Sequence, residues 1–411
     1  MTGTRPLARI VATTDVHSAL DNARPLLAHL HAARADCLVV DCGDFFEGTG
    51  YYRLGAGATE RQILLSLYDV IAPGNHGWPH HREPELQALT VCANVVHDRT
   101  GDLLFRPLHR ARIGGRTMAV TAVLGVQAFD AIPAHQRIAD RVIDPVRALA
   151  GLFLAHRHEV DAWVLLSHSG FAEDLELARH CPFLDVVFAG HCHSEHYAPQ
   201  AIGDTLVVKG RELGLGYATA EPVGAGWAAH THLFAPSTSI PPGMSGPVRE
   251  IDRLRRRLAA PLGPLTRRWR GTRVDRQALA AATAARLHAG LGADAVILNE
   301  TALRTTSVGE VLTLGDLLAL EPFANELVHA LVPRAMTGDV PGLLAHLTAH
   351  AGPLATAPDP LPGRVHTVLT TRYLADSYLD GHGRSAAVRL GHAVRHVLTT
   401  EPLELDQGAP R

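Results

Sequence analysis

Two short motifs pair residues able to bind metal. Asp15-Val16-His17 follows an apolar run at Ala8–Thr13, and Gly190-His191-Cys192-His193 follows another at Val186–Ala189. Residues two apart in an extended segment point to the same side, so each motif presents two ligand-type side chains together. Cys192 faces the other way and reads as a core thiol. Three more steps share this placement. Gly43-Asp44 follows Cys37–Val40, Gly74-Asn75-His76 follows Val70–Ala72, and Ser167-His168-Ser169 follows Ala162–Leu166. Carboxylate, carboxamide and imidazole donors without thiolate suit Mn, Zn, Co or Fe. Two such ions roughly 3.5–4 Å apart need a carboxylate able to bridge them. Glycines before Asp44, Asn75 and His191 permit tight turns that aim the next side chain inward. Taken singly, an Asp after a strand is usually a turn or cap residue. One His among 26 is usually surface or core filler. Five such steps in succession, all at strand ends, outweigh that reading.

The elements that must carry these residues read as α/β. Further apolar runs at Thr117–Leu124 and Thr205–Val208 alternate with helical periodicity at Ala23–Arg34 and Pro145–His158. Short runs rich in Val, Ile and Leu fit a largely buried sheet. In open α/β sheets ligands gather at the carboxyl ends of strands, so five strand ends can converge on one place. The Pro-, Ser- and Gly-rich stretch Ala235–Gly246 reads as a connector. The expected division is therefore 1–236, a linker at 237–246, and a second domain at 247–411. That second part opens on a helical pattern, PVREIDRLRRRLAA, and continues with a helix at Arg276–Gly290 and a strand at Ala295–Leu298. Glu401–Arg411 reads as a frayed tail.

Bulk properties exclude several classes. The chain has 411 residues and a formal net charge of −3, with no basic run, so a nucleic-acid polymer is not an expected partner. Almost all the positive charge is Arg, in an Ala-rich chain, as GC-rich coding produces. Five cysteines, an odd number without a CxxC pair, argue against a disulfide framework and for a reducing compartment. No apolar h-region opens the chain, and no apolar stretch reaches the ~20 residues a membrane span needs. The expectation is a cytoplasmic protein without a membrane partner.

The ordered set Asp-x-His, Gly-Asp, Gly-Asn-His, lone His and Gly-His-x-His resembles the calcineurin-like metallophosphoesterases. The resemblance implies a four-layer α-β-β-α sandwich with two divalent ions. Asp15, His17, Asp44 and His193 would hold one ion. Asp44, Asn75, His168 and His191 would hold the other, with Asp44 as the bridge. His76 and Asp44 would be the catalytic pair. The second half narrows the resemblance to 5′-nucleotidases and UDP-sugar hydrolases. ADAVILNETALR at Ala293–Arg304 and the Pro322-Phe323-Ala324-Asn325 step are similar to the segments that bind the nucleoside in their smaller α+β C-terminal domain. The resemblance implies Phe323 stacking on a base, with Arg304 and Asn325 near the substrate. Tyr373, or alternatively Tyr378, would supply a second aromatic face. An aromatic face stacked on a base contributes roughly 1–3 kcal/mol.

Three departures stand out. The family's Asp three residues after the motif His is Pro79 here, so another group must orient His76; Glu83 is a candidate, with His80 and His81 nearby in sequence. The family's Gly-Gly before Arg304 is Thr301-Ala302. The C-terminal Gly-Gly-Asp step has only a loose counterpart in Asp380-Gly381-His382-Gly383. The expected function is hydrolysis of a nucleoside 5′-phosphate, or of a related, modified nucleotide in a biosynthetic role. Alternatives are hydrolysis of a nucleotide sugar, a cyclic nucleotide or a sulfur ester, or nucleotide binding without turnover.

Overall fold

The apolar runs become strands almost where their composition places them. In the first part of the chain the principal strands are β1 (Arg9–Thr13), β2 (Cys37–Asp41), β3 (Val70–Ile71), β4 (Leu108–Ile113), β5 (Arg116–Leu124), β6 (Ala162–His168), β7 (Val186–Ala189), β8 (Gln200–Ile202), β9 (Thr205–Lys209), β10 (Gly216–Val223) and β11 (Gly226–Leu233). The computed structural model describes residues 5–400 apart from 292, 380 and 382. The tail expected at Glu401–Arg411 and two residues of the Asp380–Gly383 step lie outside the described residues.

The strands form two mixed sheets, ordered β11-β10-β1-β2-β3 and β8-β9-β7-β6-β5-β4. Parallel pairs β1–β2, β5–β6, β6–β7 and β7–β9 bring their carboxyl ends to one edge. Period-2 alternation builds the layers. Ile10, Ala12, Leu38 and Val40 of the first sheet share a core with Val120, Val164, Leu166, Phe188 and Val208 of the second. The opposite face of the second sheet, with Val123, Leu165 and Val187, packs on Leu149, Phe171 and Leu177 from helices Pro145–His156 and Phe171–His180. Helices Ala23–Ala33 and Ala58–Leu67, with Leu27, Leu30, Ile63 and Leu64 fully buried, complete the fourth layer. Each such Leu or Ile contributes about 1.5–3 kcal/mol by leaving water.

The chain divides into two units, Met1–Leu254 and Arg255–Arg411. The division falls inside the helix Ser245–Leu258, beyond the stretch at 237–246. Met244, Val248, Ile251 and Leu254 are buried, and Leu254 packs against Gly55. The first turns of this amphipathic helix therefore belong to the first unit.

The second unit holds its own five-stranded sheet, ordered Leu354–Ala357, Ala295–Asn299, Thr367–Thr371, Glu326–Leu331 and Arg384–Arg389. Val296 and Leu298 face Leu279, Leu287, Leu390 and Val394. Ala295 and Ile297 face Leu343, Leu347 and Ala375 on the other side. Helices thus cover both faces of this smaller sheet.

Candidate active site

Each ligand-type residue sits two to five positions beyond a strand of the first unit, or ends one. Asp15 and His17 follow β1, Asp44 follows β2, Asn75 and His76 follow β3, His168 ends β6, and His191 and His193 follow β7. The turns that aim them inward are strained. Asp15, His17, Ser18, Asp44, Glu47 and His191 have φ between 49° and 73°, a region costing roughly 1–3 kcal/mol for a residue with a Cβ. Strain of this kind persists where surrounding bonds over-determine the backbone. Here they do: Asp15 N donates to Gly43 O, His17 N to Asp44 O and Ser18 N to Phe45 O. Gly74 is required by proximity, since a Cβ there would lie 2.0 Å from Asp44 Oδ1.

The side chains converge. Asp44 Oδ2 lies 3.3 Å from His168 Nε2, 3.7 Å from His17 Nε2 and 4.0 Å from His76 Nε2. Asp15 Oδ1 lies 3.8 Å from both His17 Nε2 and His193 Nε2. His168 Nε2 is 3.2 Å from Asn75 Oδ1. Three groups have ligand atoms close enough to share a cation: Asp15, His17 and His193; His17, Asp44 and His76; and Asp44, His168 and His191.

The donor set fits divalent ions. Asp15 Oδ2 accepts from Thr14 Oγ1 at 2.5 Å and from the His191 amide at 3.1 Å. Its Oδ1 is fully buried with no hydrogen-bond partner, which is costly for a carboxylate unless a cation meets it. Asp44 Oδ1 is likewise held by the His76 amide, leaving Oδ2 to face the imidazoles. His168 Nδ1 lies 2.8 Å from the Cys42 carbonyl, to which it can only donate, so Nε2 is the nitrogen turned toward Asp44 and Asn75. His17 Nε2 and His193 Nε2 face each other at 3.2 Å, an arrangement suited to two lone pairs on one ion.

Charge in the site is tightly balanced. Burial raises the Asp15 carboxyl, with His168 opposing. Burial would raise Asp44 too, but His168, His76 and His17 more than offset it and hold it far below the usual carboxylate range. Burial pushes His17 and His191 down to about 4, leaving the neutral imidazoles that metal ligation needs. His168 goes the other way: burial is outweighed by Asp44 and Asp15, which lift it to about 9.

The orienting partner of His76 is not Glu83. Glu83 is taken up by His80 and Arg61. Glu47 Oε2 lies 3.0 Å from His76 Nδ1 instead. This carboxylate comes from the loop after Asp44, 29 residues away, so spacing around His76 could not reveal it. Nor do His80 and His81 enter the site. His80 stacks on Phe46, and His81 is buried against Thr90. The Gly77-Trp78-Pro79 step has a packing reason. Trp78 is fully buried among Cys92, Val95, Phe105 and Phe129, and its Nε1 donates to Asp140. Sequence reasoning also missed Asp41, which is buried and bound by Thr13 Oγ1 and the Gly43 amide behind the ligands.

In the second unit, Arg304, Phe323, Asn325 and Tyr373 line one cavity of ≈ 390 Å³, together with Asn299, Thr301 and Ala302. Phe323 and Tyr373 are about half exposed, unlike core aromatics. The Arg304 guanidinium lies 5.0 Å over the Phe323 ring and also donates to the Thr301 carbonyl. Asn325 Nδ2 donates to Glu321 at 3.1 Å. Tyr378 does not line the cavity; its hydroxyl lies 3.1 Å from that of Tyr373. Thr301 and Ala302 put side chains in the wall where the resemblance leads one to expect glycines.

No family model matches the chain. Among curated relatives, a probable 5′-nucleotidase of Treponema pallidum is 25% identical over 202 residues, 46% of this chain and 34% of that protein. The chain thus spans about a third of that relative's length. A solved putative 5′-nucleotidase from Staphylococcus aureus superposes with a TM-score of 0.69 at 15% identity, covering 97% of both chains. The Thermus thermophilus sulfate thiohydrolase SoxB superposes at 0.66 with 18% identity, covering 95% of this chain and 82% of that one. The chain is therefore similar, in sequence over about half its length and in fold over nearly all of it, to calcineurin-like metallophosphoesterases of the 5′-nucleotidase kind.

Proposed function

We propose that the chain is a dinuclear metal-dependent phosphomonoesterase acting on a nucleoside 5′-phosphate or a closely related nucleotide. The observation that carries this reading is the pairing of a buried Asp15 Oδ1, which makes no hydrogen bond, with an Asp44 Oδ2 that faces three imidazoles. Asp15, His17, Asp44 and His193 would hold one ion, and Asp44, Asn75, His168 and His191 the other. Bound divalent ions supply Lewis acidity toward phosphoryl oxygens and activate water at neutral pH.

The chain's own groups do the rest. His76 Nε2 points into the site while Glu47 fixes its other nitrogen. It is thereby placed to donate a proton to the leaving ester oxygen. In the second unit, the exposed faces of Phe323 and Tyr373 offer stacking surfaces for a base. Arg304 and Asn325 present donors at the rim of the same cavity. Side chains at Thr301 and Ala302 narrow this wall, which favours a restricted set of nucleosides. Five unpaired cysteines agree with a cytoplasmic setting. Among the described residues, no helix is long and apolar enough to cross a membrane.

The test is phosphate release from nucleoside mono- and diphosphates, a nucleotide sugar, a cyclic nucleotide and a sulfur ester. Metal-stripped protein is assayed with and without Mn or Zn, beside Asp44→Asn. Metal-dependent release from a monophosphate, abolished in the variant, is the expected result. Turnover of only the sugar, cyclic or sulfur ester would replace this substrate assignment. No turnover with two ions bound would replace it with a binding role.

A further inference from the structure

Lys209 is the only lysine among the chain's 38 Lys and Arg residues. It is also completely buried. Lys209 therefore stands apart from the other cations by type as well as by burial. A guanidinium is a planar fork with five donors, whereas an ammonium is a compact charge with three.

The surroundings use all three donors. Lys209 ends β9, whose parallel register sets it beside Ala189 at the end of β7. From there its Nζ runs under the loop that carries His191 and His193. It donates to the Cys192 carbonyl at 3.0 Å, to the Ser194 carbonyl, and to Glu212 Oε1. The two carbonyls flank His193 on either side. Tyr197 OH donates to the other Glu212 oxygen at 2.8 Å. Thr231 Oγ1 lies 2.7 Å from the carbonyl oxygens of both Tyr197 and Lys209. Next to Glu212, Leu213 N donates to the Asp15 carbonyl at 2.8 Å. The segment 209–213 thus ties the His191–His193 loop to the backbone of Asp15.

His193 needs such a tie. Its side chain is half exposed, and its ring meets the other ligand-type groups His17 and Asp15. A buried ion pair is poor value for stability, because each ion loses several kcal/mol of hydration. Its presence directly behind an exposed ligand points to orientation rather than to folding.

We propose that Lys209, with Glu212 as its counter-ion, is the positioning residue for the His191–His193 ligand loop, and that it sets the affinity of the ion held by Asp15, His17 and His193. This rests on reading those residues as metal ligands.

The experiment measures Mn(II) and Co(II) binding to metal-stripped full-length protein by titration calorimetry and Co(II) visible absorption. The melting temperature of the metal-free protein is recorded alongside. The proteins compared are wild type, His193→Ala, Lys209→Met, Lys209→Arg and the charge-free double variant Lys209→Met/Glu212→Gln. Wild type binds two ions, and His193→Ala loses or greatly weakens one. Lys209→Met and Lys209→Arg weaken that same ion about 10–100-fold, the usual effect of removing support behind a ligand. The double variant regains melting temperature relative to Lys209→Met, since no lone charge is left buried, yet its metal affinity stays low. Should Lys209→Met fail to fold, the double variant alone decides. Recovery of both melting temperature and affinity in the double variant, or an unchanged affinity in Lys209→Met, overturns the proposal. A wild type that binds no ion, or a His193→Ala variant that binds two normally, refutes the ligand reading itself and the proposal with it.

Discussion

Replacing Glu47 tests the geometry of the site most directly. The His76–Glu47 contact is 3.0 Å, and although burial lowers the His76 ring, the bond to this carboxylate and the charge of Asp44 together more than offset that and raise it. Burial and His76 act on Glu47 in opposite senses, and the bond to His76 wins, holding the carboxyl below its usual value. A hydrogen bond to a charged partner contributes about 1.5–3 kcal/mol. The two side chains are 38% and 29% exposed, so solvent screening reduces this to about 1–2 kcal/mol. If the contact acts in the transition state, that is roughly 5–30-fold in kcat. Glu47→Gln keeps an acceptor for Nδ1–H and removes only the charge, so it should fall at the low end. Glu47→Ala should fall at the high end or beyond. In both, KM for the best substrate should change less than about twofold if His76 acts, as proposed, on the leaving oxygen rather than on binding. Glu83→Gln serves as the control and should leave kcat unchanged, since Glu83 serves Arg61 and His80. The assay is steady-state phosphate release with saturating metal. Wild-type kcat in Glu47→Ala, or a loss in Glu83→Gln as large as in Glu47→Gln, would refute the orienting role.

Other variants probe other layers of the same account. Gly74→Ala places a methyl 2.0 Å from Asp44 Oδ1; displacing that carboxylate should lower activity by about 100-fold or more, the scale of a misplaced catalytic group, and metal analysis should find fewer than two ions bound. Phe323→Ala removes a half-exposed ring, so KM for a nucleotide should rise by about 5–150-fold, matching a stacking loss of 1–3 kcal/mol, with kcat and melting temperature nearly unchanged. The pH dependence of stability should carry the mark of His81. Burial and neighbouring His80 push this ring from 6.5 down to about 3, so it stays neutral when folded and takes up a proton when unfolded. Its stabilising share is complete above pH 6.5 and is lost as pH falls from there toward 3. Denaturant midpoints for His81→Gln should therefore decline less steeply over that window than wild type does.

The residues that converge at the strand ends were legible because their signal is local. Each is tied within a few positions to a strand end, and strand ends are written in short apolar runs such as Val186–Ala189. Parallel pairing then brings the ends together whatever the intervening sequence says. The same logic explains the cavity of the second unit, where Arg304, Phe323, Asn325 and Tyr373 come from the ends or flanks of neighbouring elements. What escaped was long-range or weakly patterned. In the β10–β11 hairpin, β10 alternates burial but buries only small residues, Gly216, Ala218 and Ala220, and β11 buries Ala229 alone, so no run of large apolar side chains betrayed it. The connector expected at 237–246 is flexible in composition. Composition does not register that the next helix buries Val248, Ile251 and Leu254 before the units separate.

Glu47 and Lys209 show why supporting residues are harder to read than ligands. A ligand must point at a fixed place from a strand end, so its spacing is constrained. A support can come from any chain segment that passes behind that place. Loss of one support therefore leaves several solutions open. Pro79 occupies the position from which the family's Asp would orient His76, and a carboxylate from the loop after Asp44 does so here. The hydrogen bond to His76 is supplied here by a contact that no local motif records. The consequence is specific: restoring the family residue with Pro79→Asp should not rescue Glu47→Ala unless the short helix Trp78–His81, which starts against the buried Trp78, first reshapes. Full rescue of kcat by that second substitution, with the Trp78 packing intact, would mean that His76 accepts support from either side.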